Sequence, residues 1–324
     1  MPRTGSSRNA WRRRSRRSGR RRAPVRCAAH RQAQARLPLR RAPAACGWRC
    51  EVQPTRRVTV ASADGTLIAV WITGEGPTLL AVPGTAADHT VWDRVVPLLA
   101  PHATVAVVDR RGRGESGDVE PYRIGPEVDD LVAVAAALPG PVHLYGHSFG
   151  GYLALHAAAR VPNLASLALY EGGLLPRSVQ QFSASFIAEL DRLVSAGLRE
   201  QALELFMTHA AGLRTSELAA LRAQPNWQGR LRSAHTIPRE LRSLAEHGAD
   251  PVPTEQIAVP VLLIVGAETE AMRRSWFESM ASLFADARVA VLPRQGHAAH
   301  MTAPELLAGA LAEFVGTGTA ATAR

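Results

Sequence analysis

The sequence contains no lysine and only three cysteines, Cys27, Cys46 and Cys50, all within the first 50 of its 324 residues. The rest of the chain therefore has no disulfide and no thiol nucleophile. A structural zinc site usually needs two pairs of Cys or His ligands, and no second pair stands near Cys46 and Cys50. We accordingly expect neither a metal site nor a bound cofactor.

The sequence also lacks long apolar runs. None approaches the ~18 residues of a membrane-spanning helix. Overall 46% of the residues are apolar, which is typical of a globular protein. We therefore expect a soluble, cytoplasmic protein without a membrane span.

Acidic residues are absent from residues 1–50, which hold 16 arginines. The other 22 arginines stand against 28 acidic residues, so the remainder of the chain has a formal net charge of −6. A block of like charge such as "RRRSRRSGRRR" (12–22) favours disorder, and the apolar region of an export signal does not follow it. We predict that residues 1–56 are a disordered Arg-rich extension that does not bind nucleic acid. A basic binding arm and a targeting segment are the alternatives.

Short apolar runs and helical patterns alternate along the rest of the chain. The first signal is a hairpin that begins at Arg57 and turns at Asp64-Gly65. Runs that are apolar throughout are typical of parallel strands that are covered by helices on both faces. We predict an α/β fold with a doubly wound, mostly parallel sheet. Its further strands are expected at 77–84, 103–109, 141–146, 164–171, 259–266 and 287–293, and helices at 90–99, 126–138, 149–160 and 303–315.

The alternation stops between residues 176 and 250. Three stretches there, "FSASFIAELDRLVSAG", "REQALELFMTHAAG" and "SELAALRAQ", carry helical periodicity without a strand-like run. We predict an all-helical insertion over 176–250, between core segments at 57–175 and 251–324.

The stretch "VHLYGHSFGGYLAL" (142–155) carries the strongest chemical signal. Its G-x-S-x-G pattern sets Ser148 between Gly146 and Gly150, directly after a predicted strand and before a predicted helix. A serine on so sharp a turn needs neighbours without side chains, and its hydroxyl then projects above the edge of the sheet. Ser148 is therefore the candidate nucleophile.

A serine hydroxyl is a weak nucleophile and needs a base. His297, in the loop "LPRQGHAAH" after the last predicted strand, would reach the same carboxyl edge of the sheet as Ser148. His300 is better explained as the start of the last helix, and His147 as a packing residue. His297 is therefore the candidate base.

When a serine attacks a carbonyl carbon, the carbonyl oxygen becomes an oxyanion, and two backbone N–H groups are expected to hold it. One belongs to Phe149, directly after the serine. The other should come from the loop "PGTAAD" (83–88), with Thr85 as the best candidate, because Gly84 allows the backbone to turn inward.

With the Gly84 loop, Ser148 and His297 in this order, residues 58–316 resemble the α/β-hydrolase superfamily. The segment "DRRGRGESG" (109–117) is similar to that family's Asp-x-Arg-Gly-x-Gly-x-Ser loop. The helical insertion stands where the family has a cap over its active site. The resemblance implies a Ser-His-acid triad and, because the nucleophile is serine and not aspartate, an acyl-enzyme intermediate.

The resemblance leaves the acid of the triad open between two places. The family's usual position, after the strand "VLLIVG", holds Thr269 here, flanked by Glu268 and Glu270. A second position known in the family is the end of the preceding strand, where "LALYEGG" has Glu171. We favour Glu171 because it ends a strand at the catalytic edge; Glu268 and then Glu270 are the alternatives.

These features together predict a serine hydrolase that cleaves an ester-like bond of a small, largely apolar substrate. His89 and Trp92 are candidates for the wall of its pocket, as are Tyr152, Trp227 and His235, although aromatic side chains at such positions more often pack in a core. A carbon–carbon bond hydrolase, or a haloperoxidase or perhydrolase with the same triad, is the alternative among enzymes. A catalytically silent binding protein of the same fold is the alternative outside them.

Overall fold

The structure is a computed structural model, which describes residues 55–174, 182–247 and 251–322. The three cysteines lie outside these ranges, and so does the predicted disordered extension up to residue 54. The ends of the predicted helical insertion, at residues 176 and 250, also lie outside the described residues.

Eight strands of the described chain form one sheet. Across the sheet they stand in the chain order 1-2-4-3-5-6-7-8. The second strand is antiparallel to the first and fourth, and all other neighbours are parallel. The predicted mostly parallel α/β sheet is therefore confirmed. The strands are β1 (Arg56–Ala61), β2 (Leu67–Thr73), β3 (Thr78–Val82), β4 (Thr104–Val108), β5 (Val142–His147), β6 (Leu164–Tyr170), β7 (Val261–Gly266) and β8 (Ala287–Leu292).

Helices join most of these strands. They are α1 (Val96–Leu99), α2 (Ile124–Ala137), α3 (Phe149–Ala158), α4 (Ala184–Ser195), α5 (Arg199–His209), α6 (Thr215–Arg222), α7 (Trp227–Ser233), α8 (Ile237–His247), α9 (Ala271–Met280), α10 (Ala299–Thr302) and α11 (Pro304–Thr322). Between β6 and β7 the described residues form helices α4 to α8 and no strand. None of the helices in the described ranges is long and apolar enough to cross a membrane.

Alternate residues of the strands enter two separate hydrophobic clusters, because successive side chains point to opposite faces of a sheet. Leu80 and Val82 of β3 pack in the cluster that contains residues of α2 and α3. Leu79 and Ala81 pack in the cluster that contains residues of α1 and α11. Strands β3, β5 and β7 are buried at every residue. Helices on both faces of the sheet thus explain why these strands show no alternation of apolar and polar residues.

The helical predictions need three corrections. The helix expected at 90–99 is divided into a 3₁₀ turn, His89–Trp92, and α1, because Pro97 has no N–H to continue the helical ladder. His300 lies in the separate short helix α10 and not in the last helix, α11. Helix α9 escapes prediction because it buries only Phe277 and Met280 and has no continuous apolar stripe.

The carboxyl ends of the parallel strands meet at one edge of the sheet. Four non-glycine residues of the described chain have positive φ, and each of them follows one of these strands. They are Ala86 (52°) after β3, Ser148 (55°) after β5, Glu171 (44°) after β6 and Arg294 (57°) after β8. Such conformations are sparsely populated and concentrate at functional sites. The edge at which the sequence predicts the site is therefore also a strained edge.

Leu263 in β7 tests the contribution of the core. It is fully buried, and Leu263→Ala is expected to leave a cavity and to lower the free energy of unfolding by about 2–5 kcal/mol. The control is Leu67 in β2, which is 55% exposed; Leu67→Ala is expected to change that free energy by about 0.5 kcal/mol at most. Urea unfolding followed by circular dichroism measures both variants. Equal losses would contradict the position of the core.

Candidate active site

Ser148 lies at the turn between β5 and α3, with φ 55° and ψ −124°. Its N–H donates to the carbonyl oxygen of Tyr170 at 3.0 Å. Its own carbonyl oxygen accepts from the N–H groups of Gly151 at 2.9 Å and Tyr152 at 3.1 Å. Backbone hydrogen bonds to β6 and α3 therefore fix the position from which the serine side chain projects.

The turn needs glycine where two backbone segments touch. A Cβ on Gly146 would lie 2.5 Å from the carbonyl oxygen of Gly150. A Cβ on Gly150 would lie 2.3 Å from the carbonyl oxygen of Val82. Both distances are too short for a real side chain, so close approach requires the two glycines of the G-x-S-x-G pattern.

The loop after β3 brings Thr85 beside Ser148. A Cβ on Gly84 would lie 3.1 Å from the Cβ of Ser148, so these two segments are in contact. Arg110 Nη1 donates to the carbonyl oxygen of Gly84 at 3.0 Å. Because the N–H and C=O of a trans peptide point in opposite directions, this bond turns the N–H of Thr85 away from Arg110. The N–H of Phe149, at the start of α3, has no partner within the helix.

Glu171 and His297 meet across the edge of the sheet. Nδ1 of His297 lies 2.9 Å from Oε2 of Glu171. The other carboxylate oxygen accepts from the N–H of Gly266 at 2.9 Å and from the hydroxyl of Thr269. The carboxylate of Glu171 is thus fixed by neighbours on two loops, and Thr269 is one of the groups that fix it.

The two alternative acids lie elsewhere. The side chain of Glu268 is 44% exposed, and its Oε2 lies 3.3 Å from Nη1 of Arg214. Glu270 is exposed at the start of α9. Within the described ranges, neither side chain forms a hydrogen bond or ion pair with His297. No group of His, Cys, Asp and Glu side chains in these ranges could hold a metal ion. Of the three candidate carboxylates, the one that reaches His297 is that of Glu171.

Burial and hydrogen bonding act on Glu171 in opposite directions. Burial raises the pKa of Glu171, but the hydrogen bond and charge of His297, with the donors of Thr269 and Gly266, outweigh it and hold the pKa below its ordinary value. Glu171 is therefore ionised at neutral pH and can accept the Nδ1 hydrogen of His297. Because folding lowers this pKa, the resulting stabilisation is complete above the ordinary pKa of Glu171 and is lost as the pH falls through the lowered one.

Two buried side chains fix the loop that carries His297. The hydroxyl of Tyr170 donates to the carbonyl oxygen of Gly296 and accepts from the N–H of Ala299 at 2.9 Å. Nε2 of His147 donates to the carbonyl oxygen of His297 at 2.9 Å. Burial is the main cause that lowers the pKa of His147 well below its ordinary value, so the ring is neutral. His147 and Tyr170 therefore support the loop from the ends of β5 and β6.

Two cavities open beside Ser148. The Arg230 cavity, named after its one arginine, contains about 440 Å³ of empty space, including the part that opens to solvent. The Tyr152 cavity contains about 910 Å³, counted in the same way. Both are lined by Thr85, Ser148 and His297. Each also receives Phe206 and Ala211, so residues from the helical segment between β6 and β7 form part of the walls.

Most of the aromatic residues suggested for the pocket wall are not among the described residues that line these two cavities. His89 stacks on Trp71, with ring centroids 4.0 Å apart, and its Nδ1 lies 2.8 Å from Asp109. Trp92 is buried beneath the site, with its ring centroid 5.9 Å from that of His147. Trp227 and His235 also line neither of these two cavities, whereas Tyr152 lines the second.

Comparison with known proteins identifies the family. A family model described as the alpha/beta hydrolase family matches residues 79–310. The chain belongs to the alpha/beta hydrolase family. The resemblance seen in the sequence is therefore confirmed for this hydrolase.

Several relatives of the hydrolase are esterases. It is 31% identical over 255 residues to pimeloyl-(acyl-carrier protein) methyl ester esterase from Xanthomonas oryzae pv. oryzae, with 75% of this chain and 97% of the relative covered. An alpha/beta hydrolase from Sphaerobacter thermophilus, known from its crystal structure, shares 34% sequence identity with this chain. The TM-score is 0.69, and the match covers 79% of this chain and 99% of that one. A thermophilic esterase from Thermogutta terrifontis is 25% identical, with a TM-score of 0.64 over 81% and 99% of the two chains.

A buried ion network in the hydrolase joins the loop after β4 to two helices. Arg110 donates to both carboxylate oxygens of Glu127 in α2, at 2.8 and 3.1 Å, and to Glu240 in α8 at 2.7 Å. Arg113 also pairs with Glu240, and all four side chains are almost fully buried. The guanidinium of Arg110 lies 4.6 Å from the ring centroid of Phe149. The sequence pattern did not reveal this network, because its partners are far apart in the chain.

Glu240→Gln tests the network. The change leaves two buried arginines short of a negative partner, and we expect a loss of about 3 kcal/mol in the free energy of unfolding. The matched control is Glu246→Gln, on the same helix but with a side chain that is 60% exposed; the expected change is about 0.5 kcal/mol or less. Thermal and urea unfolding measure both. Similar stability of the two variants would show that the buried pairs do not hold α8 to the core.

Proposed function

We propose that this hydrolase is a serine hydrolase that cleaves an ester bond of a small substrate through an acyl-enzyme. The observation that carries the proposal is the hydrogen bond between Nδ1 of His297 and Glu171, 2.9 Å long. It lies beside two cavities that both contain Ser148 and His297. A serine on a strained turn, a histidine and a fixed carboxylate are the groups that nucleophilic acyl transfer requires.

In the first step, Nε2 of His297 takes the proton of the Ser148 hydroxyl as the oxygen attacks the carbonyl carbon of the ester. Glu171 accepts the Nδ1 hydrogen, which keeps Nε2 free and stabilises the imidazolium once it has formed. The imidazolium then gives the proton to the leaving alcohol, and the acyl group stays on Ser148.

The N–H groups of Phe149 and Thr85 hold the negative charge that develops on the carbonyl oxygen. Both are backbone donors with fixed directions, so little reorganisation is needed when the charge appears. The bond from Arg110 to the carbonyl oxygen of Gly84 supports this role for Thr85. The N-terminus of α3, where Phe149 lies, adds the positive end of the helix dipole.

In the second step, water takes the place of the alcohol. His297 removes a proton from the water, which attacks the acyl carbon, and the same two N–H groups hold the oxyanion again. Ser148 then leaves as its oxygen regains the proton from His297, and the acid is released. No metal or cofactor takes part in this scheme.

The relatives and the cavity walls support an ester as the substrate. Pimeloyl-(acyl-carrier protein) methyl ester esterase and the Thermogutta terrifontis esterase are named for ester hydrolysis, which favours this reaction over carbon–carbon bond cleavage or perhydrolysis. Apolar side chains such as Phe206 and Leu221 suit an apolar substrate. We assign α4 to α8 as the cap, because α5, α6 and α7 supply Phe206, Leu221 and Arg230 to the wall.

Ser148→Ala tests the nucleophile. With no oxygen to acylate, hydrolysis of short p-nitrophenyl esters is expected to fall by about ten-thousandfold or more. A fluorophosphonate probe should label the wild-type protein at Ser148 and should not label the variant. Ser185→Ala, at an exposed position in α4, is the control and is expected to keep both ester hydrolysis and labelling by the probe. A folded wild-type protein that neither hydrolyses esters nor takes the label would instead be a silent binding protein.

The acid is tested by Glu171→Gln and its matched control Glu268→Gln. The first replaces the carboxylate that accepts from His297, and we expect kcat to fall by about a thousandfold or more. The second removes an exposed carboxylate paired with Arg214 and should change kcat by about twofold at most. Steady-state kinetics on one ester compares them. A larger loss in the Glu268 variant would move the acid to the loop after β7.

A further inference from the structure

Arg230 lies in α7, in the wall of a cavity that also contains Ser148 and His297. It is only 6% exposed. Its Nε is buried without a hydrogen-bond partner. No hydrogen bond or ion pair of its guanidinium is found within residues 55–174, 182–247 and 251–322. A full positive charge thus borders the cavity without a direct partner in the described chain.

The acid whose charge acts on Arg230 is Asp88. Burial lowers the pKa of Arg230 to about 10, with Asp88 acting in the opposite direction, so Arg230 stays charged at neutral pH. Oδ1 of Asp88 accepts from the N–H and the hydroxyl of Thr90, and no ion pair between Asp88 and Arg230 is found among the described residues. Asp88 therefore acts on Arg230 from a distance.

His300 adds a second polar group to the same wall. It is 4% exposed, and both of its ring nitrogens are buried without a hydrogen-bond partner. Burial, with the charges of Arg230 and His297, lowers the pKa of His300 well below its ordinary value, so the ring is neutral. A neutral imidazole keeps one N–H donor. Two buried groups with unused donors therefore border one cavity.

The rest of this wall is mainly apolar and includes Val91, Phe206, Met207, Leu213 and Leu221. A buried charge without a partner is costly, and an anion that enters such a cavity would recover much of that cost. The planar guanidinium fork matches a carboxylate in particular. The groups in this wall suit a ligand with an apolar chain that ends in a carboxylate.

We propose that the Arg230 cavity takes one arm of an ester substrate that ends in a carboxylate, with Arg230 as its main partner and His300 as a further donor. This proposal rests on the proposed ester hydrolysis at Ser148. The carboxylate selects the substrate and takes no part in bond making or breaking. It can belong to the acyl arm, as in a monoester of a dicarboxylic acid, or to the alcohol arm, as in an ester of a hydroxy acid.

Matched substrates test the proposal and separate the two arms. Mono-p-nitrophenyl glutarate carries the carboxylate on the acyl arm, and p-nitrophenyl pentanoate is its neutral counterpart. The acetyl ester of γ-hydroxybutyrate carries it on the alcohol arm, and butyl acetate is the neutral counterpart. A pH-stat measures hydrolysis of all of them. In the wild-type protein, kcat/KM is expected to favour the charged member of one pair by about tenfold or more.

Arg230→Met should remove this preference. The ratio of kcat/KM for the charged ester to that for the neutral ester is expected to fall by about tenfold or more, mainly through KM. Arg230→Lys keeps the charge but not the planar fork and should restore part of the ratio. The control is Arg232→Met, an exposed residue on the same helix, which should leave the ratio unchanged.

Thermal unfolding separates a binding role from a structural one. Since Arg230→Met removes a buried charge that lacks a partner, the variant is expected to melt at or above the temperature of the wild-type protein. If Arg230 instead stabilised the fold, its replacement would lower the melting temperature. If Arg230→Met does not fold, the proposal fails on this ground, because it requires that the free protein does not depend on this charge.

The kinetic outcomes keep the two proposals apart. Hydrolysis of the neutral esters with no preference for either charged ester, or a ratio that Arg230→Met leaves unchanged, overturns the role of Arg230 and leaves Ser148 catalysis standing. Absence of any Ser148-dependent hydrolysis is the failure of the proposed function. Glutarate, the free acid, provides a readout without turnover: it should protect wild-type protein, but not Arg230→Met, against thermal unfolding.

Discussion

The burial of Arg110 is the constraint on which the site depends. A guanidinium in the interior must have partners for its charge, and the partners of Arg110 lie in α2, in α8 and on the loop after β3. The helix that carries Glu240 and the peptide before Thr85 are therefore positioned by the same side chain. One buried charge thus couples the segment above the sheet to the backbone beside Ser148.

Arg230 shows the opposite treatment of the same side chain. Both arginines are buried, but Arg110 meets two carboxylates and backbone carbonyl oxygens, whereas Arg230 borders a cavity. The fold thus places two carboxylates beside one buried arginine, Arg110, and none within ion-pair distance of the other in the described chain. The difference between the two environments therefore indicates that one guanidinium holds the fold together and that the other is available to a ligand.

The strands and Ser148 could be predicted because their signals are local: an apolar run, a turn between glycines and a following helix. The sequence favours Glu171 as the partner of His297 but leaves Glu268 and Glu270 open, because all three are near a strand end. The choice depends on which loop folds back over β6 and on the pairing of Glu268 with Arg214. The contact of His89 with Asp109 could not be predicted, because it joins two separate loops.

The positive φ angles at the carboxyl edge have a consequence for how the molecule opens. Each such residue costs on the order of 1–3 kcal/mol, whereas the net stability of a whole domain is only about 5–15 kcal/mol. Four of them follow strands on one side of the sheet in the described chain. Local opening therefore starts more easily in these loops than in the strands beneath them. The edge of the sheet that carries Ser148 and His297 is thus also a place where backbone movement costs less free energy than it does in the strands.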